Sequence, residues 1–539
     1  MTNFARERVA RLRTPQVHPF SGFDVAHLLA AHAAARPEHP FLIWEPFEGP
    51  GQRFGYAAFH ERVKRIAAGL AARGVKAGDR VLVHLDNCPE SLLSWFACAH
   101  LGATAVTTNA RSVADELEYY ASDAAAVGAI TQPRFAELVN SACKDLGWLV
   151  VTETDNGVAP AAGTAPAASD AFPALDGDAS NAPLRAPDPM LPVGIQYTSG
   201  TTSRPKGVVW THANALWGAK ICALHESLRA DDVHLTYLPL FHTNAQSYSV
   251  LASLWVGATL VLQPRFSASR FWPVSLAHGC TWTSMVPFCT RALGTREVPT
   301  HGYRLWGNAL ENPRWDRKFG VHTIGWWGMT ETIAHGIVSD PFHPAPPFSI
   351  GKPAPANEIA ITHEDGTAVE PGETGDLLVR GIPGLSLFQE YLNNPEATAA
   401  SFDAEGYFVT GDRVTLLEDG HLAFADRDKD MLKVGGENVA ASEVERVVMS
   451  VRGVQECAVV ARSDRMLDEV PVAFVLVPGG ADAAPPDLAE QVIEACRKSL
   501  ADFKVPREVR IVESLPRSTL EKIAKAELRR QLDEDPAAS

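Results

Sequence analysis

The densest run of chemically capable residues in the sequence is Tyr197-Thr-Ser-Gly-Thr-Thr-Ser-Arg-Pro-Lys-Gly207. Glycines such as Gly200 let backbone N–H groups come close to an anion. The hydroxyls of Thr198, Ser199, Thr201 and Thr202 can donate to phosphate oxygens, and Lys206 adds positive charge. That combination suits the holding of a polyphosphate. It is not the nucleotide P-loop pattern, because Lys206 precedes the last glycine and no Gly-Lys-Ser/Thr follows, which sets a P-loop kinase aside. Four further segments concentrate charge, aromatic rings and glycine: Trp326 to Thr332, Tyr407 to Asp412, Asp426 to Asn438, and Leu515 to Ile523. Taken singly these are ordinary: Glu331 reads as a cap or solvated charge, Asp412 as a turn residue after glycine, and 426–433 as a charged linker.

Such residues need rigid elements behind them. Phe59, Val63, Ile66, Ala67 and Leu70 share one helical face, and Gly74 with the Lys76–Asp79 turn ends that helix. Arg80–Leu85 reads as a strand buried on both faces. A helix from Pro89 to Leu101 follows, stopped by Gly102, and Ala103–Thr108 is strand-like. Short strands with helices between them imply a parallel sheet. Strand-like Pro192–Tyr197 leads into the hydroxyl-rich loop, with a helix expected near Thr211. The stretch Thr154–Met190 is rich in Ala, Pro, Asp and Gly and reads as a long surface loop within a domain. Gly366–Leu422 reads as small antiparallel strands and turns. Beyond Asp426–Asp430 come a helix (Ser442–Ser450), two strands (Gln455–Ala461, Val470–Val477) and a helix (Leu488–Leu500). The expected fold class is α/β: a large N-terminal domain of mixed α/β lobes with a small β region, residues 1–428, and a mobile C-terminal α+β domain, residues 429–539.

Composition narrows the class. The 539 residues carry 48 Lys+Arg against 64 Asp+Glu, a net charge of −16, which argues against a dedicated nucleic-acid binder. A 46% apolar fraction supports a full core. No apolar run reaches the ~18 residues of a membrane span, and no apolar stretch follows the N-terminal arginines as a secretory signal requires. The eight cysteines are scattered without a C-x-x-C pair, as buried thiols in a reducing cytoplasm would be.

Together the five segments resemble, in order and spacing, the signature blocks of the adenylate-forming superfamily of acyl-CoA synthetases, adenylation domains and luciferase. The resemblance implies adenylation of a carboxylic acid by ATP with release of pyrophosphate, then transfer of the acyl group to the thiol of coenzyme A. Thr198–Lys206 would hold phosphates, and Thr330 would bond a phosphate oxygen. Glu331 would ligate Mg²⁺, which favours one or two carboxylates plus phosphate. Trp327, where the family usually has tyrosine, offers a face to adenine. Asp412 and Arg427 would reach the ribose hydroxyls. Lys429 sits at the hinge position, and Lys433, Gly435 and Gly436 belong to the coenzyme A segment. Lys522 is the candidate catalytic lysine, placing a point charge on the acyl phosphate. Here the sequence departs from the family, with Glu521 in place of the usual glycine.

His84–Glu90, Thr198–Val209, Gly328–Ile333 and Gly381–Gly384 are similar to the crotonobetaine/carnitine-CoA ligase group, which implies a small acid bearing a trimethylammonium. Phe241 and His242 would approach the acyl group. Trp306 and Asn308 would form the wall between the adenine and acyl sites, and Trp326 and Ile333 to His335 would close its end. Trp306, Trp326 and Phe241 could present faces to a quaternary ammonium, or equally line a slot for a medium-chain, aryl or alicyclic acid. No carboxylate partner for a cation is evident from sequence. Two other readings use the same blocks: an adenylation enzyme loading a carrier protein's phosphopantetheine, and an adenylation-impaired nucleotide or acyl-CoA binder, for which Glu521 is the support. The assembly is open between a monomer and a homodimer.

Overall fold

In a computed structural model, the structure describes residues 18–159, 166, 168–198, 205–343, 345–427, 431–434, 437–464, 467–500, 502–517 and 523–534. The chain divides into two compact units, residues 1–359 with 378–409, and residues 360–377 with 410–539.

The first unit holds two large sheets. One has nine strands, in the order Lys352–Pro353, Ile337–Val338, His322–Trp327, Leu305–Asn308, Trp282–Ser284, Val233–Thr236, Thr259–Leu262, Pro40–Trp44 and Gln52–Gly55. Its six central strands are parallel and its edges antiparallel. The other has eight strands, with Arg80–His84 between Thr104–Thr107 and Gly128–Thr131 in parallel register. The helix Pro89–Leu101 starts on Pro89 with Glu90 in its first turn and stops at Gly102, φ 73°. Proline at a helix start and a left-handed glycine just past its end are the local signals that set these limits.

Two expectations need correction. The hydroxyl-rich loop does not run from strand to helix. Lys206–Thr211 forms a strand antiparallel to Pro192–Thr198, with Thr198 opposite Lys206, so the loop closes a hairpin. The apolar run Val208-Val-Trp210 supplies the β-forming residues for that strand. Nor is 154–190 wholly irregular. Asp170–Ala171 extends the eight-stranded sheet, and 3₁₀ turns at Phe172–Leu175 and Ala179–Asn181 follow. Phe172 and Leu175 are buried. A Cβ on Gly69 would lie 2.0 Å from the Leu175 carbonyl oxygen, so glycine in the helix Tyr56–Ala72 admits this segment.

A four-stranded sheet follows in the order Glu358–Thr362, Thr374–Arg380, Phe408–Leu416, Leu422–Arg427. In the second unit, five strands pair Met431–Val434 with Glu437–Ala440 and Asp468–Leu476, the last flanked by Glu456–Asp464 and Glu508–Val512. Strand alternation sends Val459 and Val475 to a core with the helices Ala441–Ser450 and Leu488–Ser499. Ala458, Val460 and Phe474 face the opposite core, with Leu528 and Leu532 of the helix Lys525–Asp533. Among the described residues no helix is long and apolar enough to cross a membrane, and all eight cysteines are buried thiols.

Candidate active site

In open parallel sheets, ligands gather beyond the carboxyl ends of the strands. Those ends of the nine-stranded sheet carry several of the predicted residues. Val233–Thr236 leads to Phe241 and His242, Leu305–Asn308 ends on Asn308, and His322–Trp327 runs into Thr330 and Glu331. Phe241 and His242 lie ring against ring, with centroids 4.3 Å apart. Asn308 is buried and its Oδ1 accepts the Ala309 N–H at 2.8 Å.

Thr330 and Glu331 sit in a turn that the rest of the unit clamps. The Trp210 indole donates to the Thr330 carbonyl at 2.9 Å, and the Phe388 N–H donates to the Glu331 carbonyl at 2.8 Å. The Thr330 hydroxyl lies 3.3 Å from that of Thr243, which in turn donates to Gln196 Oε1 at 3.0 Å. Glu331 is buried, and its Oε1 accepts the Tyr391 hydroxyl at 2.9 Å. Burial and then the Glu331 charge hold the Tyr391 phenol far above its usual range, so it stays a donor. Lys206 Nζ stands over the same tyrosine ring, 4.6 Å from its centroid. Tyr391 therefore joins the end of the hydroxyl-rich loop to the acidic turn. The carboxylate of Glu331 and the hydroxyl of Thr330 are the hard oxygen donors that suit Mg²⁺.

The helix that follows the hairpin is anchored at its start. Thr211 Oγ1 accepts the Asn214 N–H and Asn214 Oδ1 accepts the Thr211 N–H, both at 3.0 Å. This closed box is buried, and its spare donors reach across the chain. Thr211 Oγ1 donates to the Gly384 carbonyl at 2.7 Å, and Asn214 Nδ2 to the carbonyls of Leu385 and Leu387 at 2.8 Å each. The Gly384–Leu387 segment is thus a brace for the helix His212–His225.

Strand alternation separates the tryptophans. Trp326 lies over Gly307, where a Cβ would meet its ring at 1.7 Å, and it stacks on His335 (4.4 Å, 16°) and Trp282 (5.9 Å, 6°). Trp327 points to the other face, against Gly336. Trp306, next to Gly307, also points away from Trp326. It is fully buried among Phe271, Trp272, Tyr303 and Phe319. The expectation that Trp306 shares an acyl pocket with Trp326 is corrected: adjacent strand positions face opposite sides of a sheet, and Trp306 is a core residue. Ile333 is fully buried at φ 60°, a left-handed conformation strained for a β-branched residue.

In the second unit, Asp412 is buried and stands opposite Arg427 in the antiparallel register of Phe408–Leu416 and Leu422–Arg427. Ser199, Gly200, Thr201, Thr202, Lys429, Gly435, Gly436, Glu521 and Lys522 lie outside the described residues, as do the side chains of Arg427 and Lys433.

Sequence reading missed Tyr391, Thr243 and Gln196, whose roles depend on contacts distant in the chain. It also missed a π-helix over Asn244–Leu251. Such wide turns cluster at functional sites. This one places Tyr248 against Trp326 and His335.

Comparison with known proteins agrees with this geometry. Residues 29–392 match the AMP-binding enzyme family and residues 443–522 the AMP-binding enzyme C-terminal domain. The chain is 34% identical over 510 residues to the crotonobetaine/carnitine–CoA ligase of Salmonella arizonae, covering 90% of this chain and 95% of that one. It is 32% identical over 513 residues to the Escherichia coli protein of the same name, with the same coverage. Among solved structures it resembles an anthranilate CoA ligase in complex with anthranoyl-AMP (TM-score 0.84, 26% identity, 95% and 98% coverage). It also resembles the o-succinylbenzoate CoA synthetase of Bacillus subtilis bound to its acyl-adenylate (TM-score 0.78, 28% identity, 93% and 97% coverage). With its clamped acidic turn at the strand ends and matches to both family domains, the chain belongs to the AMP-binding enzyme family, as an AMP-forming acid–thiol ligase.

Proposed function

We propose that this enzyme joins a small carboxylic acid to coenzyme A, and that the acid carries a quaternary ammonium, as the names of its relatives indicate for theirs. The observation that carries the ligase reading is the Lys206–Tyr391–Glu331 linkage, which ties the end of the hydroxyl-rich loop to the buried acid Glu331 beside Thr330. In the first step an oxygen of the substrate carboxylate bonds to the α-phosphorus of ATP, and the bond to pyrophosphate breaks. In the second the coenzyme A thiolate bonds to the acyl carbon, and AMP leaves with the former carboxylate oxygen.

The chain's own groups position these partners and neutralise charge rather than form covalent intermediates. Thr198, Ser199, Gly200, Thr201, Thr202 and Lys206 hold the phosphates. Thr330 donates to a phosphate oxygen, and Glu331 would hold Mg²⁺, which would supply positive charge against the polyphosphate. Trp327 and Asn308 border the adenine, while Asp412 and Arg427 take the ribose hydroxyls. Lys522 supplies charge to the acyl phosphate. Lys429 is the hinge at the start of a C-terminal domain, residues 429–539, whose Lys433, Gly435 and Gly436 serve coenzyme A. Phe241, His242, Trp326 and Ile333 border the acyl group.

The test is pyrophosphate release from Mg-ATP with a panel of betaine, medium-chain, aryl and alicyclic acids, with and without coenzyme A, and mass spectrometry of the product. A coenzyme A thioester with the betaine acids is the expected result. Pyrophosphate release without a thioester would redirect the acyl group to a carrier protein. No release with any acid would overturn the ligase reading.

A further inference from the structure

At the far end of the helix His212–His225 lies a second buried polar cluster that no step above uses. Glu226 follows that helix as its C-terminal cap and is fully buried. Neither of its carboxylate oxygens has a hydrogen-bond partner, and neither does either ring nitrogen of fully buried His335. The two side chains approach to 3.8 Å, beyond hydrogen-bond reach. Cys222, one turn back on the helix, brings its sulfur within 4.8 Å of both. Among the described residues no lysine or arginine pairs with Glu226.

Three effects oppose a negative charge here. Glu226 is removed from water, which raises its carboxyl well above the usual range. It stands at the negative end of the helix dipole. Its carboxylate also accepts no hydrogen bond. His335 does not compensate, because burial drives its basicity far down and leaves the imidazole neutral. Around the pair are aromatic rings: Trp326 stacked on His335, and Tyr248 4.1 Å from the same ring. Aromatic faces attract cations, most strongly when both are removed from water. A carboxylate without partners beside ring faces is matched by a positive charge and mismatched to a hydrocarbon tail.

The cluster is also close in the chain to the acidic turn. His335 follows Glu331 by one short loop, and Trp326 is the penultimate residue of the strand His322–Trp327 that leads into it. The strained Ile333 lies between, its side chain pressed over Gly218 of the helix that ends at Glu226.

We infer that Glu226, its carboxylate left unpartnered beside the neutral His335 and the Tyr248 ring, is the determinant that selects an acid with a permanently cationic head over an uncharged acid of the same shape. The inference rests on the acid–CoA ligase reading and assigns the charge recognition to one residue.

The experiment compares 4-(trimethylammonio)butanoate with its uncharged isostere 5,5-dimethylhexanoate, in wild type and Glu226→Gln, by kcat/KM for thioester formation. Wild type is expected to favour the cation by at least tenfold. Glu226→Gln is expected to lose at least thirtyfold on the cation and to change less than threefold on the isostere. An equal loss on both acids would make Glu226 merely structural, and no loss on either would remove it from recognition. Each overturns the inference and leaves the ligase reading standing. Wild type turning over the isostere as well as the cation overturns it without any variant. No thioester from either acid removes the reading beneath it, and the inference with it.

Discussion

Two clusters in the first unit, joined by the loop from Gly328 to His335, treat buried polarity in opposite ways. Around Glu331 the polar groups are cross-braced: Tyr391 donates to the carboxylate, Trp210 to Thr330, and Thr243 to Gln196. Around Glu226 the carboxylate and the imidazole of His335 stand together without hydrogen-bond partners. A buried polar group left unpaired costs about 1–3 kcal/mol, and more when charged. The braced cluster has its geometry set in advance, as a step common to every substrate requires. The unbraced one keeps its bonding capacity for what enters. On the function proposed above, the difference separates the part of the site that performs the reaction from the part that chooses the acid.

That contrast can be broken at either end. The largest effect is expected from Glu331→Gln, which should lower the rate of pyrophosphate release by about 10²–10³-fold, equally for every acid. A loss confined to one acid would mean that the two clusters do not divide the work. Tyr391→Phe deletes one hydrogen bond to a charged group, worth about 1.5–3 kcal/mol. It should cost at least about tenfold in kcat/KM, again whatever the acid, and lower the affinity for Mg-ATP measured by calorimetry in the absence of acid. Unchanged Mg-ATP affinity would show that Glu331 holds its position without the phenol.

The unbraced cluster makes a prediction in pH. Glu226 has a folded pKa raised above the unfolded value, so its protonated form contributes stability below the usual carboxylate range, and that contribution is lost as pH rises through the folded pKa. Cys222, His225, His335 and Tyr248, which face it, stay neutral because burial disfavours the charged form of each. Without ligand, thermal melting from pH 5 to 8 should show wild type losing stability relative to Glu226→Gln. The slope should be at most about 1.4 kcal/mol per pH unit. Parallel melting curves for the two proteins would mean that Glu226 does not titrate in this range. The smallest effect should come from Thr211→Ala, which opens the buried capping box. It should lower stability by about 1–2 kcal/mol, read as a drop in Tm, and leave the preference between acids untouched.

Much of the fold was legible locally. The limits of the helix Pro89–Leu101 follow from a proline and a glycine, and Ala441–Ser450 and Leu488–Ser499 follow from spacing on one face. The hairpin after Thr198 was not legible, since Lys206–Thr211 pairs only because a neighbouring strand is already in place. The reading of Trp306 failed for a related reason. Its neighbours in sequence matched a pocket wall, but the pleat turns it to the other side of the sheet from Trp326.

The sequence by itself determined the reaction class. The blocks around Lys206, Glu331 and Asp412 are short and each is contiguous in the chain, so their order along it carries the signal. The tertiary structure alone decided which groups meet. Tyr391 and Glu331 are 60 residues apart in the chain, and Glu226 and His335 arrive on a helix end and a separate loop. Burial, which sets the charge of Glu226 and the neutrality of His335, is a property of the packed chain, because desolvation depends on every element that excludes water from a site.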